Sequence, residues 1–150
     1  MKNRAQAGAT LIEFSLILVV FLTFLLGIVD FSRMLWTWNA ANEATRWGAR
    51  TSVVCDKGAA AVLKNMKAFL PQLTADNVQI DWYGANGTID NTCSAANCTA
   101  VRVQIKELDY QWIAPVGFST VARTFRMPGF STYLPREIMG QDLNSAAVCS

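Results

Sequence analysis

Apolar residues are concentrated close to the N-terminus of the chain. Residues 14–29, FSLILVVFLTFLLGIV, carry no charge, and extending the run back to Ala9 gives 21 residues with one charged side chain, Glu13. A helix of this length rises about 31 Å at about 1.5 Å per residue, which matches the hydrocarbon core of a bilayer. Buried helices of soluble proteins are the alternative, but they are usually shorter and lack a preceding basic tail. The pattern therefore predicts a transmembrane segment at residues 9–30.

The charges that flank this segment predict its orientation. Lys2 and Arg4 precede it and no acidic residue does. By the positive-inside rule, residues 1–8 are expected in the cytoplasm and residues 31–150 in the periplasm. A secretory signal peptide carries its small residues after the apolar run, whereas here they come before it, so removal of the apolar segment is not predicted.

Glu13 is the one acidic residue inside the apolar run. An ionisable side chain in the hydrocarbon region costs about 2.5–3.5 kcal/mol on insertion scales, and such a residue indicates a functional site with a partner. The other interpretation places Glu13 in the headgroup region at the helix start, where the helix dipole favours an acid. The sequence pattern is compatible with both interpretations of Glu13.

The helix is predicted to continue beyond the membrane to about residue 53, because no proline occurs before Pro71. Two pairs of opposite charge in this part, Asp30 with Arg33 and Glu43 with Arg46, have the i,i+3 spacing that places side chains on the same helix face. Each pair is expected to add a few tenths of a kcal/mol.

A stripe of mostly small side chains follows at three- and four-residue steps. Its members are Trp38, Ala41, Thr45, Gly48, Ala49 and Ser52. Such a stripe allows another element to approach the helix axis closely. Packing on the protein's own sheet is favoured over a contact between subunits, while Trp36 and Trp38 suit either a core or the outer membrane interface.

The rest of the chain alternates between helix and strand patterns. Residues 59–70 predict a short amphipathic helix that ends at Pro71. Strict alternation at 78–82 and 101–106 predicts two strands of an antiparallel hairpin, and a third strand is assigned to 120–127 with imperfect alternation. The expected fold class is α+β, with a long N-terminal helix packed on a small antiparallel sheet and a short second helix.

Composition limits the chemistry available to the chain. Its 150 residues suit one domain, and the absence of histidine excludes imidazole-based catalysis and most zinc hydrolase sites. The net charge is only +2, and the thirteen Lys and Arg residues are scattered along the chain, so nucleic acid is not expected as a partner. Four acids on or beside the strand patterns are interpreted as isolated, solvated charges rather than a catalytic pair: Asp81, Asp90, Glu107 and Asp109. No enzyme, no cofactor and no metal site is predicted.

Four cysteines, Cys55, Cys93, Cys98 and Cys149, lie on the predicted periplasmic side, where disulfides persist. Four cysteines allow three connectivities. The preferred one joins Cys93 to Cys98 across the hairpin loop and Cys55 to Cys149, which ties the tail to the end of the long helix.

The head of the apolar helix resembles the class III signal of type IV prepilins. Gly8 is followed by four residues and then by Glu13 and Phe14. The resemblance implies that a prepilin peptidase cuts between Gly8 and Ala9, which makes residues 1–8 a leader. It also implies that Glu13, then at mature position five, pairs with the N-terminal amine of a neighbouring subunit during assembly.

The next stretch is similar to the TadE-like minor pseudopilins of the tight-adherence pilus system. The matching residues are Asp30, Phe31, Ser32 and Arg33, followed by Ala44, Arg46, Gly48, Ala49 and Arg50. A weaker similarity lies at 127–130 and 134–137. The resemblance implies a pilin-like subunit of the inner membrane, used as a minor or tip component. Its partners would be the prepilin peptidase, other pilin or pseudopilin subunits, the inner-membrane assembly platform and the lipid bilayer.

Two other functions are compatible with the pattern. The first is an uncleaved single-pass protein whose periplasmic domain serves as a binding or adhesion module. The second, less favoured, is an anchored periplasmic hydrolase that uses two carboxylates, for which the sequence offers no converging pair.

Overall fold

One helix accounts for a third of the chain and passes through both of its structural units. The computed structural model describes residues 4–55, 60–93, 97–114, 124–135 and 149. Helix α1 spans Arg4–Val54, which confirms the long N-terminal helix. One unit consists of Met1–Leu35 with Tyr110–Phe125, and the other of Trp36–Asp109 with Arg126–Ser150.

The remaining elements are short and confirm the α+β class. They are helix α2 (Ala60–Phe69) and strands β1 (Val78–Tyr83), β2 (Ala100–Ile105), β3 (Asp109–Gln111), β4 (Thr124–Arg126) and β5 (Phe130–Pro135). Strands β1, β2 and β5 form an antiparallel sheet in that order, and β3 pairs with β4 in a second sheet. The predicted α2 and the predicted β1–β2 pairing are therefore confirmed.

The third strand predicted at 120–127 is present in part. Within that range, Thr124–Arg126 forms β4 of the smaller sheet, and residues 120–123 lie outside the described residues. The third strand of the main sheet is β5, which pairs with β2 from Ala100↔Pro135 to Ile105↔Phe130. The inward positions of β5 include the polar Thr132, so its alternation of apolar and polar residues is weak.

The second half of α1 packs on the inner face of the main sheet. Gly48 makes this contact close, because a Cβ there would lie 2.6 Å from the Sδ of Met66 on α2 and 3.2 Å from a methyl of Val103 on β2. The Thr45 and Thr132 hydroxyls are 2.9 Å apart, and the Trp38 ring meets Phe130 edge-on at 4.9 Å. The small-residue stripe thus packs on the protein's own sheet, as favoured from the sequence.

The interpretation of Asp81 as a solvated charge was wrong. Asp81 is 2% exposed and lies directly opposite Arg102 in the β1–β2 register. Its Oδ2 accepts bonds from Arg102 Nη2 at 2.7 Å and Nε at 3.2 Å, and its Oδ1 accepts one from Gln79 at 2.7 Å. A cross-strand pair of opposite charges therefore holds the outer face of the sheet together.

Because of this pair, the fold loses stability as the pH falls into the acid range. Burial raises the pKa of Asp81, but the hydrogen bonds from Arg102 and Gln79 and the nearby cations outweigh it, so the pKa lies below its ordinary value. A lowered pKa contributes stability that is present above the unfolded value of about 3.9 and is lost as pH falls through the folded value.

We expect Asp81→Asn to lower the free energy of unfolding at neutral pH by about 1–3 kcal/mol, because Arg102 loses its charged acceptor. The deficit relative to the wild type should shrink as the pH falls below about 4. Denaturant unfolding of the full chain in detergent at several pH values measures this difference. The exposed Asp109→Asn serves as control, and a deficit that stays constant into acid would contradict the assignment.

Candidate functional site

The first half of α1 exposes its apolar side chains on all sides. From Gly8 to Val29 no described side chain is buried, and Leu11, Phe14 and Phe24 are 69%, 65% and 71% exposed. Burying one such side chain is worth about 1.5–3 kcal/mol, so this surface requires an apolar cover. By length and composition, this helix is the one among the described residues that could cross a membrane.

The polar hydroxyls within the apolar segment are satisfied by the helix itself. Ser15 Oγ donates to the carbonyl oxygen of Leu11 at 2.9 Å, and Thr23 Oγ1 donates to that of Val19 at 2.8 Å. Such internal bonds are what a helix in lipid requires, since no water is available there. Glu13 remains the ionisable residue of the segment.

The predicted cleavage and assembly residues lie together in the first turns of α1. Gly8, Ala9, Glu13 and Phe14 are all exposed and helical. A Cβ at Gly8 would meet no described atom within 4 Å. The helix begins at Arg4, so the Gly8–Ala9 peptide bond lies within regular helix. The part of the leader at residues 1–3 lies outside the described residues.

Asp30, the first residue after the apolar segment, is 1% exposed and anchors a distant segment of chain. Its Oδ2 accepts hydrogen bonds from the backbone N–H of Ile113 at 2.9 Å and from that of Ala114. Its Oδ1 accepts one from Arg33 at 3.1 Å, and its backbone oxygen accepts one from the Tyr110 hydroxyl at 2.9 Å. Buried carboxylates persist when they are paired and hydrogen-bonded in this way.

We call Asp30, Arg33, Tyr110, Ile113 and Ala114 the Asp30 cluster. Tyr110 also makes two aromatic contacts. The Arg33 guanidinium lies 5.7 Å from the centre of the Tyr110 ring, and Tyr110 meets Trp112 edge-on at 5.6 Å. Burial raises the pKa of the Tyr110 phenol above its ordinary value. The nearby charge of Arg33 lowers this pKa, and that of Asp30 raises it. The phenol therefore keeps its proton and remains a donor at neutral pH.

The motif residues at 44–50 include both buried and exposed side chains. Ala44, Gly48 and Ala49 are buried, while Arg46 and Arg50 are exposed. Arg46 lies 3.8 Å from Glu43, and the Arg50 guanidinium lies 5.7 Å from the Trp47 ring centre. The small residues of the motif are thus buried, with Gly48 against α2 and the sheet, and its arginines are exposed.

The two tryptophans beyond the membrane segment differ in environment. Trp38 packs against Phe130 and is 39% exposed, whereas Trp36 is 63% exposed. Trp36 shares a groove of about 520 Å³ with Phe69 and with polar side chains of α1. Trp38 therefore contributes to the core of its unit, and Trp36 does not.

Two disulfides lie in the unit formed by Trp36–Asp109 and Arg126–Ser150. Cys55, directly after α1, is bonded to Cys149, and Cys93 is bonded to Cys98 in the β1–β2 connection. These are the pairs preferred from the sequence. Among the described residues, no group of three or more acidic or cysteine side chains could hold a metal ion.

The comparison with protein families matches the part of the chain that carries these features. Residues 8–50 match the family described as TadE-like protein. This segment is TadE-like. The resemblance to TadE-like proteins drawn from the two helix motifs is thereby confirmed, and with the apolar helix it fits a protein associated with the Tad pilus. No curated protein and no solved structure is significantly similar to the chain.

The TadE-like segment contributes Asp30 and Arg33 to the Asp30 cluster, and the rest comes from outside it. Tyr110, Ile113 and Ala114 were not indicated by the sequence, because they lie about 80 residues away in a stretch without clear periodicity. Of the weaker C-terminal similarity, Met127 and Phe130 are buried. Residues 136 and 137 lie outside the described residues.

We expect Asp30→Asn to loosen the segment at residues 113–114. The amide keeps one acceptor but removes the charge, and a hydrogen bond to a charged group is worth about 1.5–3 kcal/mol. Amide hydrogen exchange at Ile113 and Ala114 should accelerate by at least about tenfold. Asp109→Asn, which alters an exposed carboxylate, is the control. Equal exchange rates in the wild type and Asp30→Asn would refute the anchoring role.

Proposed function

We propose that the chain is a minor pseudopilin, a structural subunit used in building a tight-adherence, type IV-like pilus. The observation that carries this proposal is an uncovered apolar helix whose head bears Gly8 and Glu13, within a TadE-like segment. The mechanism is assembly rather than catalysis. The TadE-like family is structural and associated with pili, which agrees with a chain that lacks histidine.

Before assembly, the subunit resides in the inner membrane as a single-pass protein. Residues 9–30 cross the bilayer, with Lys2 and Arg4 on the cytoplasmic side. The remaining chain lies in the periplasm, an oxidising compartment that suits two disulfides. The same helix then continues as the packing element of the periplasmic domain.

Processing by the prepilin peptidase removes residues 1–8 and leaves Ala9 as the new N-terminus. Glu13 becomes the fifth residue, so a free amine and a carboxylate lie close together at the head of the helix. Removal of Lys2 and Arg4 leaves eleven basic and eleven acidic side chains. The charge of the leader thus serves orientation, and the mature side chains are balanced.

Assembly supplies the partner that a carboxylate in lipid needs. In the membrane, the Glu13 charge is costly. In a filament, the N-terminal amine of a neighbouring subunit compensates this charge, and the exposed apolar side chains of residues 9–29 pack against other helices. Subunits are thereby drawn from the bilayer into the filament in a fixed register.

We expect the protein purified from cells with an active prepilin peptidase to begin at Ala9. Intact-mass measurement after reduction checks this directly. Gly8→Leu, which places a bulky side chain at the cleavage position, should leave the N-terminus at Met1, while Gly27→Leu should not affect processing. A wild-type chain that still begins at Met1 would support an uncleaved anchor instead.

We expect Glu13→Gln to insert into the membrane normally but to enter filaments poorly. Loss of the charge pair should reduce incorporation by at least about tenfold, since about 1.4 kcal/mol corresponds to that factor. Quantitative immunoblotting of sheared pili against the membrane fraction measures the ratio. Glu13→Asp retains the charge and should recover part of the incorporation, and Ser15→Ala is a neutral control. Unchanged incorporation of Glu13→Gln would remove the role assigned to Glu13.

A further inference from the structure

The Asp30 cluster fixes the position of a second segment relative to the membrane helix. Val29 ends the apolar run, and Asp30 follows it. The backbone N–H of Ile113 lies 2.9 Å from the Asp30 carboxylate, and that of Ala114 also donates to it. If residues 9–29 fill the hydrocarbon core, as in the proposed function, residues 110–114 lie at the level where the helix leaves it.

Two side chains at this level, Phe31 and Ile113, are apolar and exposed, and Trp112 is half-buried. Ile113 is 64% exposed and Phe31, next to Asp30 on α1, is 52% exposed. Residues 110–114, YQWIA, carry no charge. Trp112 is of a residue type that is enriched where a protein crosses the membrane interface, because the indole has an apolar body and a polar N–H.

Three polar groups of the segment are bonded to Asp30, which favours contact of this part of the backbone with an apolar surrounding. The N–H groups of Ile113 and Ala114 are bonded to Asp30, and the Tyr110 hydroxyl donates to the Asp30 carbonyl. Unsatisfied donors are what normally exclude irregular backbone from a membrane. Arg33, 47% exposed in its side chain, neutralises Asp30 and can extend toward lipid phosphates.

We propose that Phe31, Trp112 and Ile113, held in place by the buried Tyr110, form an interfacial collar that contacts the periplasmic leaflet of the bilayer. The bilayer is the occupant that the structure favours, because the collar is continuous with the exposed apolar surface of residues 9–29. The collar gives the subunit a second point of membrane contact and limits the tilt and depth of the helix before extraction. The proposal rests on the membrane placement in the proposed function.

Site-directed spin labelling of the full chain tests this proposal. Ile113→Cys places a nitroxide on the collar, and the native cysteines are not labelled because they are bridged. The protein is reconstituted into vesicles of phosphatidylethanolamine and phosphatidylglycerol at a low protein-to-lipid ratio. Relaxation by oxygen reports lipid exposure, and relaxation by a water-soluble nickel chelate reports water exposure.

Two reference positions make the outcomes distinguishable. Phe21→Cys lies in the middle of the apolar run, and Ile89→Cys replaces another exposed isoleucine, 52% exposed, in the β1–β2 connection. We expect the label at 113 to be relaxed more by oxygen than the label at 89 and less than the label at 21. Phe31→Cys should give the same intermediate depth and replaces Ile113→Cys if that variant does not form both disulfides.

An aqueous signal at 113 with a lipid signal at 21 would overturn the collar and leave the membrane helix intact. Aqueous signals at both positions would instead refute the membrane placement itself. A protected signal at 113 that disappears on dilution with lipid would mean that a second copy covers the surface, and would also overturn the proposal. Asp30→Asn combined with Ile113→Cys should shift the label toward water, and no shift would refute positioning by Asp30.

Discussion

The structure depends on one constraint, which is that a single continuous helix has two different surroundings. Its first half exposes apolar side chains that nothing in the described chain covers, and its second half has one face buried against a sheet. Apolar surface of that extent is stable only in lipid or among other apolar helices. The second half can enter a small core because it presents alanine, glycine and threonine, and Gly48 allows contact with Met66 and Val103.

Asp30 marks the change between these surroundings. A charged residue at the end of an apolar run is ordinarily solvated, yet this one is 1% exposed and hydrogen-bonded to residues 113 and 114. The chain thus returns to the helix near the point where the apolar run ends. Charge compensation recurs in the protein: Asp30 with Arg33, Asp81 with Arg102, and, in the proposed filament, Glu13 with a neighbouring amine.

The sequence predicted the elements that have a clear local pattern, and it did not predict contacts between residues far apart in the chain. Helix α1 follows from an uninterrupted apolar run and the absence of proline before Pro71. Helix α2 and strands β1 and β2 follow from local periodicity, and the small-residue stripe indicated its own packing. Strand β5 was missed because its inward positions include Thr132. The partners of Asp30 lie about 80 residues away, and no local pattern encodes that contact. Asp81 was misread for a different reason: its partner Arg102 is evident only once the β1–β2 register is known.

The most direct test of the account is the location of the lysines relative to the membrane. In intact spheroplasts of a strain without prepilin peptidase, an impermeant amine reagent should label Lys64 and Lys67, which are exposed on α2. Lys2, which precedes the apolar run in the sequence, should be labelled only after permeabilisation. Labelling of Lys2 from outside, or protection of Lys64 and Lys67 until the membrane is opened, would contradict a helix that spans the membrane with its domain in the periplasm.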